Sequence, residues 1–403
     1  MVEFDPSFFA NNRRKLKQTA EHKLIVVAAN NRMQFGPDVA FPFRQDSYFW
    51  YLTGINLPGA VLVMTPDSDF VIAPYQERFD IISDGKIDTD KLIKTADLDT
   101  AYSYRAGWQI LKQLIADHKN VGVLGTKQRL ERYTTANSGR STLNKKLRRI
   151  AKNTELHDIR PILVRQRMIK QEPEISAIQA AVNIACQAFK SLGSEIQNMR
   201  FEYEVEAFLA ARFRSSGASQ SFVPVVVSSK NAHAIHLSDN DQPLEKDQLL
   251  VIDMGAEVSH YASDITRTYA LGKPNQRQKE VIEAVADVQR YAYSLIKPGV
   301  DRREYELAVE AYMGKTLLRL GLITKSERKQ IRRYFTHATS HHMGLDVHDV
   351  ADYTKPFAEN MVLTVEPGIY IPEEGIGVRI EDDVLVTKNG IRIMSQDLPP
   401  VMN

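Results

Sequence analysis

Several carboxylates in this chain close apolar runs, and most of its histidines crowd near them. Gln248-Leu249-Leu250-Val251-Ile252-Asp253 ends on an acid just before Gly255, and Asp264 opens a second apolar run, DITRTYA. Paired as an antiparallel hairpin centred near Val258 and Ser259, these runs set Asp253 directly across from Asp264. Opposed Cβ atoms in such a ladder lie about 4.5–5.5 Å apart. Two carboxylates that close repel unless a proton or a cation lies between them, and a cation is the economical answer. Glu366 closes Met361–Val365 ahead of Pro367-Gly368. In GVRIEDDVLV, residues 377–386, strand alternation gives Arg379, Glu381 and Asp383 one face and the valines and Ile380 the other. Seven of the ten histidines lie between His233 and His348, four of them in HATSHHMGLDVHD: His337, His341, His342 and His348.

Each of these acids alone reads as an ordinary strand end or solvated face. Together, Asp253, Asp264, Glu366, Glu381 and an imidazole make an oxygen-rich donor set without thiolates, suited to Mn, Co, Zn or Fe. Two divalent ions about 3.5–4 Å apart bring water ionisation toward neutral pH and polarise a carbonyl. That is chemistry for hydrolysing an amide with no covalent intermediate. No Walker-A loop, GxSxG elbow or GxGxxG after a strand competes with it.

The elements that must position these groups fall into two halves. Before residue 157, short apolar runs (His22–Ala29, Tyr48–Thr53, Ala60–Met64, Phe70–Ala73, Val121–Leu124) interleave with helical stretches, which predicts an α/β domain. Arg160-Pro161 breaks the pattern, and the boundary is set at 157/158. The second half, 158–403, begins with a long helix whose first turn holds Glu172-Pro173-Glu174. Further helices at Tyr203–Phe213, Gln276–Leu295 and Arg303–Leu320, with strands at Phe222–Val227 and around the acids, predict an α+β domain.

Composition is that of an ordinary globular chain: 43% apolar, 25% charged, 52 basic against 50 acidic residues. A net charge of +2 gives no footprint for nucleic acid or an anionic membrane. Basic stretches such as Leu143–Lys152 and GLITKSERKQIRR read as solvated helix faces. The single cysteine, Cys186, sits in a helical apolar pattern and reads as a core residue. The N-terminal stretch lacks a signal-peptide core, and no run approaches the ~18 apolar residues of a membrane span, so a cytoplasmic protein is expected.

The second half resembles the pita-bread metallopeptidases, most closely their aminopeptidase P and prolidase branch. The resemblance rests on IHLSDN, VIDMGAEVSHYASDITRTYA, SHHMGLDVHDV, LTVEPGIYIP and GVRIEDDVLV, in the family's order over 222–387, preceded by RQRMIKQEPEISAI. In the first half, FPFRQDSYFWYLTGINLPGAVLVM resembles the N-terminal domain of aminopeptidase P. The resemblance implies that Asp253, Asp264, His341, Glu366 and Glu381 hold two divalent ions, most often Mn with Co or Zn as substitutes. Asp264 and Glu381 would bridge them. It implies that His236, His337 and His348 contact substrate, that Glu366 moves a proton, and that Arg379 and Tyr370 stand on the substrate side. It implies removal of the residue before a proline from a peptide, by a homodimer or homotetramer joined through N-terminal domains. A dipeptidase of the prolidase type is the alternative. A non-catalytic peptide-binding module and a metal-independent creatinase-type hydrolase are disfavoured by the intact ligand set. Two positions depart from the pattern: His342, where an aromatic is frequent, and Lys230, where glycine is common.

Overall fold

A computed structural model describes residues 2–126, 138–150, 154–228, 231 and 238–402. The chain divides into two compact units, Phe4–Gln166 and Arg167–Asn403, the latter with Met1–Glu3. The division falls inside the helix Arg160–Met168 rather than at 157/158. Pro161 does not break a pattern there. It occupies the first turn of that helix, where its missing N–H leaves no bond unmade.

The first unit is α/β, as the sequence predicts. Six strands, β1 (Leu24–Ala28), β2 (Val61–Met64), β3 (Asp69–Ile72), β4 (Thr100–Tyr102), β5 (Asn120–Val123) and β6 (Glu155–Asp158), form one mixed sheet in the order β4-β3-β2-β1-β5-β6. Its core packs β-branched residues such as Val26, Val63 and Val121 against Leu111 and Leu147 of the covering helices. Tyr48–Thr53, expected as a strand, is instead the helix Ser47–Thr53. Asp46 caps it by accepting from the N–H groups of Tyr48 (3.0 Å) and Phe49 (3.1 Å), and Gly54, at φ 65°, closes it. Every residue from Tyr48 to Thr53 is buried, so no helical period survives in the sequence to be read.

The second unit is α+β. Its strands are β7 (Ser219–Gln220), β8 (Val225–Ser228), β9 (Gln248–Met254), β10 (Ala256–Val258), β11 (Tyr261–Ala262), β12 (Ile265–Leu271), β13 (Val362–Val365), β14 (Gly368–Ile371), β15 (Ile376–Arg379), β16 (Asp382–Thr387), β17 (Gly390–Ile393) and β18 (Val401–Met402). They form sheets in the orders β18-β12-β9-β8, β11-β10-β7, β13-β16-β17 and β14-β15, flanked by the long helices Glu172–Leu192 and Gln276–Leu295.

Two expectations about the acid-bearing strands need correction. The β9–β12 ladder pairs Asp253 with Thr266, not with Asp264. The turn lies one residue later than expected: Val258 pairs with Tyr261, and Ser259 and His260 both adopt positive φ. That shift moves the partner by two residues, so Asp264 keeps the face of Asp253 as a diagonal neighbour. Gly255 is needed where the ladder pinches, since a Cβ there would lie 1.7 Å from the Ser263 carbonyl oxygen.

The second correction concerns Gly377–Val386, which is two strands broken at Ile380-Glu381. Buried Arg267 fixes the break. Its Nη1 donates to the carbonyls of Glu381 (2.5 Å) and Thr266 (2.9 Å), and its Nη2 pairs with Asp382 (2.5 Å). Gln289 and Tyr293 satisfy the other Asp382 oxygen, at 3.0 and 2.7 Å. Arg267→Met strands a buried carboxylate and is expected to destabilise by about 3–5 kcal/mol. Urea unfolding checks this, and adding Asp382→Leu should recover part of the loss.

Candidate metal centre

Four structural pieces bring their functional groups to one cavity. Asp253 is the next-to-last residue of β9, and Asp264 stands just before β12, its N–H donating to Asp383 Oδ2 at 3.0 Å. Glu366 follows β13, and its N–H donates to the Thr339 carbonyl at 2.9 Å. Glu381 occupies the β15–β16 break, with its N–H on the Thr266 carbonyl at 3.1 Å. The histidine segment is tied to β13 by the His341 carbonyl, which accepts from Thr364 N–H at 3.0 Å, and by Thr364 Oγ1, which accepts from His341 N–H at 3.1 Å.

That segment is irregular chain, and charge holds it in shape. Asp349, fully inside the protein, takes hydrogen bonds from Arg167 (2.5 Å) and Lys170 (3.1 Å), while its N–H donates to the His342 carbonyl at 2.8 Å. Gly344 is required because a Cβ would come within 2.4 Å of the Asp349 carboxylate. On the other side, Glu306 accepts from the N–H groups of Thr339 (3.0 Å) and Ser340 (3.3 Å).

The resulting cavity, about 240 Å³, is lined by Asp253, Asp264, Glu366, Glu381, His337, His341, His348 and Arg379, together with Arg302, Ala338 and Ser340. Sequence-singled residues thus make up most of its wall. His236 and Lys230 lie outside the described residues. His342 is not part of the cavity lining: it is buried, its backbone bridges to Leu363, and its Nδ1 has no hydrogen-bond partner among the described residues. The sequence reading missed Thr266, whose Oγ1 donates to Glu381 Oε2 at 2.6 Å and accepts from Arg379 Nε at 3.1 Å. Its signal was the two-residue period in DITRT, which puts Asp264, Thr266 and Thr268 on one face. Arg302, at the start of the helix Arg302–Arg319, carried no such signal.

The electrostatics demand a cation. Burial, then the charge of Asp253, pushes the Asp264 carboxyl well above the usual range. Burial, then Asp264 and Asp253, does the same to Glu381. Burial and Glu381 raise Glu366 as well. Among the described residues, Arg379 is the guanidinium paired with these acids, at 2.5 Å from Asp253 Oδ2. Asp253 Oδ1 is buried without a hydrogen bond from the described residues. Ligand atoms of Asp264, His341 and Glu381 lie within 4.8 Å of one another. His341 Nδ1 sits 3.0 Å from the His342 carbonyl, which accepts a hydrogen bond from the protonated Nδ1 and leaves Nε2 as a lone-pair donor 3.4 Å from Asp264 and 3.7 Å from Glu366. Burial lowers the His341 pKa, favouring the neutral ring that a metal needs. The donor set therefore fits divalent metal.

A second network faces the same space. Arg379 Nη1 donates to Tyr370 Oη at 3.0 Å, and Tyr370 Oη lies 2.8 Å from His337 Nε2. His337 Nδ1 meets the Ala338 carbonyl at 2.9 Å, so the ring carries its proton on Nδ1 and accepts from the tyrosine. The rings of His341 and His348 meet edge to face, with centroids 4.4 Å apart.

Residues 176–388 match metallopeptidase family M24, and residues 9–123 match the N-terminal domain of aminopeptidase P. The chain belongs to metallopeptidase family M24. It is therefore a hydrolase, with the family's pita-bread domain in its second unit and an aminopeptidase P-type domain in its first. It is 32% identical to the Xaa-Pro aminopeptidase of Haemophilus influenzae over 97% of this chain and 94% of that protein. It is 35% identical to the Xaa-Pro dipeptidase of Pyrococcus horikoshii, over 62% of this chain and 69% of that one. Escherichia coli aminopeptidase P, solved with the inhibitor Pro-Leu, superposes with a TM-score of 0.87 at 28% identity, covering 98% of this M24 chain and 96% of its own.

The raised carboxyls carry a signed consequence for the metal-free protein. A carboxyl whose folded pKa exceeds its unfolded value of about 4.3 removes stability as pH rises above that value. Metal-free wild type should therefore lose stability relative to Glu381→Gln from about pH 4 upward. Saturating divalent metal should reverse the order near neutrality, adding about 2.7 kcal/mol to wild type at 100 Kd. Thermal unfolding across pH, with chelator and with metal, measures both.

Proposed function

We propose that this chain is an Xaa-Pro aminopeptidase, releasing the first residue from peptides with proline second. The observation that carries the reading is one cavity holding Asp253, Asp264, His341, Glu366 and Glu381 with His337, His348 and Arg379 around them. Its relatives named as Xaa-Pro aminopeptidases match both units of the chain, whereas the dipeptidase match spans 62% of it. The dipeptidase reading keeps one point in its favour, the higher identity of 35% over that span.

Asp253, Asp264, His341, Glu366 and Glu381 would hold two divalent ions, for which the oxygen-rich set favours Mn. Such ions supply Lewis acidity, easing water deprotonation and polarising the scissile carbonyl. The remaining work belongs to side chains. Glu366, in the cavity wall, takes a proton from the attacking water and passes it to the leaving proline nitrogen. His348 and His236 donate to the negative charge that develops on the carbonyl oxygen. Arg379, bonded to Asp253, Tyr370 and Thr266, orients Asp253 and, through Tyr370, His337. A bond before proline has no N–H and a restricted backbone. A site that relies on electrophilic activation and shape, with no grip on that N–H, tolerates it.

The exposed apolar residues Met33, Phe35, Phe41, Phe79 and Ile82 of the first unit support association into a homodimer or homotetramer. No helix among the described residues is long and apolar enough to cross a membrane, and a cytoplasmic location agrees with that.

The test is cleavage of an Xaa-Pro-Xaa-Xaa tetrapeptide against an Xaa-Pro dipeptide by Mn-loaded protein, read as released first residue. Faster cleavage of the longer peptide is expected. Cleavage of the dipeptide alone selects the dipeptidase, and cleavage of neither refutes the peptidase. Glu366→Gln should lower kcat by about 10²–10⁴-fold.

A further inference from the structure

Arg302 lines the cavity beside His341 and His348, yet none of the roles above uses it. Its partners are few. Nη2 donates to the Ser340 carbonyl at 2.8 Å, Glu306 stands 3.6 Å away, and the guanidinium lies 4.3 Å from the centre of the Tyr353 ring. A guanidinium offers five N–H donors in a planar fork, and among the described residues Arg302 spends one of them in a hydrogen bond. Arg379 differs: its Nε, Nη1 and Nη2 all have partners. Glu306 is committed to the backbone N–H groups of Thr339 and Ser340. The Tyr353 ring in turn packs 5.9 Å from His342. The histidine that replaces the frequent aromatic thus backs the wall on which Arg302 rests.

The unspent donors give this arginine a task. Two divalent ions would offset the four cavity carboxylates, and of the two cavity guanidiniums Arg379 spends its donors on Asp253, Tyr370 and Thr266. Arg302, ion-paired with Glu306 at 3.6 Å, is the cavity guanidinium with N–H donors left for an anion, at 22% side-chain exposure. Guanidinium forks bind carboxylates through charge-assisted, often bidentate hydrogen bonds.

We propose that Arg302 binds a carboxylate carried by the substrate, on an acidic side chain near the scissile bond or at the C-terminus of a short peptide. The inference rests on the peptidase reading and adds a substrate preference to it.

The experiment uses full-length, Mn-loaded protein and matched peptide pairs. Glu and Gln are compared at the first residue, Glu and Gln at the third, and free acid with amide at the end of a tripeptide. Wild type should favour the carboxylate member of at least one pair by on the order of tenfold in kcat/KM, mostly through KM. The pair that responds identifies which carboxylate is bound. Arg302→Met should bring that ratio close to one, and Arg302→Lys should restore part of it. A merely structural role for Arg302 would lower both members of a pair alike and leave the ratio intact, which overturns the proposal. A wild-type ratio near one in every pair overturns it too, with the peptidase reading untouched. No cleavage of any peptide overturns both.

Discussion

Four carboxylates, Asp264 and Glu381 buried and Asp253 and Glu366 partly so, crowd into one cavity where Arg379 pairs with Asp253, and the second unit is built around that unfavourable fact. Burial raises the proton affinity of Asp264, Glu366 and Glu381, and neighbouring carboxylates raise it further, so the metal-free site is poor at holding their charge. Divalent cations relieve the repulsion, and the same repulsion makes the site select them. A pocket lined by neutral groups would need no such ions and would hold none firmly.

Keeping these acids together requires that none escape toward solvent, and backbone anchoring does that. The N–H groups of Asp264, Glu366 and Glu381 are each bonded to a different element. Two further buried ion pairs act away from the cavity. Arg267 with Asp382 fixes the strand break that carries Glu381, and Arg167 with Asp349 fixes the turn that follows His341. Such pairs contribute little net stability but strongly oppose loss of either partner. Their use here is positional: each clamps irregular chain next to a candidate ligand, Glu381 in one case and His341 in the other.

Much of this was legible in the chain itself. An acid closing an apolar run, as at Asp253 and Glu366, marks a strand end that faces something polar. The crowding of histidines marks the loop opposite. Three features were hidden, each for a physical reason. The helix Ser47–Thr53 is buried all round and shows no period. The turn at Ser259-His260 sits one residue beyond the midpoint of the hydrophobic pattern, and only backbone dihedrals reveal it. The break at Ile380-Glu381 is imposed by Arg267 from another strand, which alternation within one segment cannot encode. Even so, the two-residue period rescued the site reading: a register shift by two returns Asp264 to the face of Asp253.

The claim on which the rest depends is that this cavity is a two-ion site. The direct measurement is metal stoichiometry: chelator-stripped protein titrated with Mn²⁺ by calorimetry, with bound metal counted by elemental analysis after dialysis. The account expects two ions per chain for wild type, and loss of bound metal when Asp264 or Glu381 is changed to its amide. Failure to bind any divalent ion, or two ions that remain after both carboxylates are removed, would contradict it.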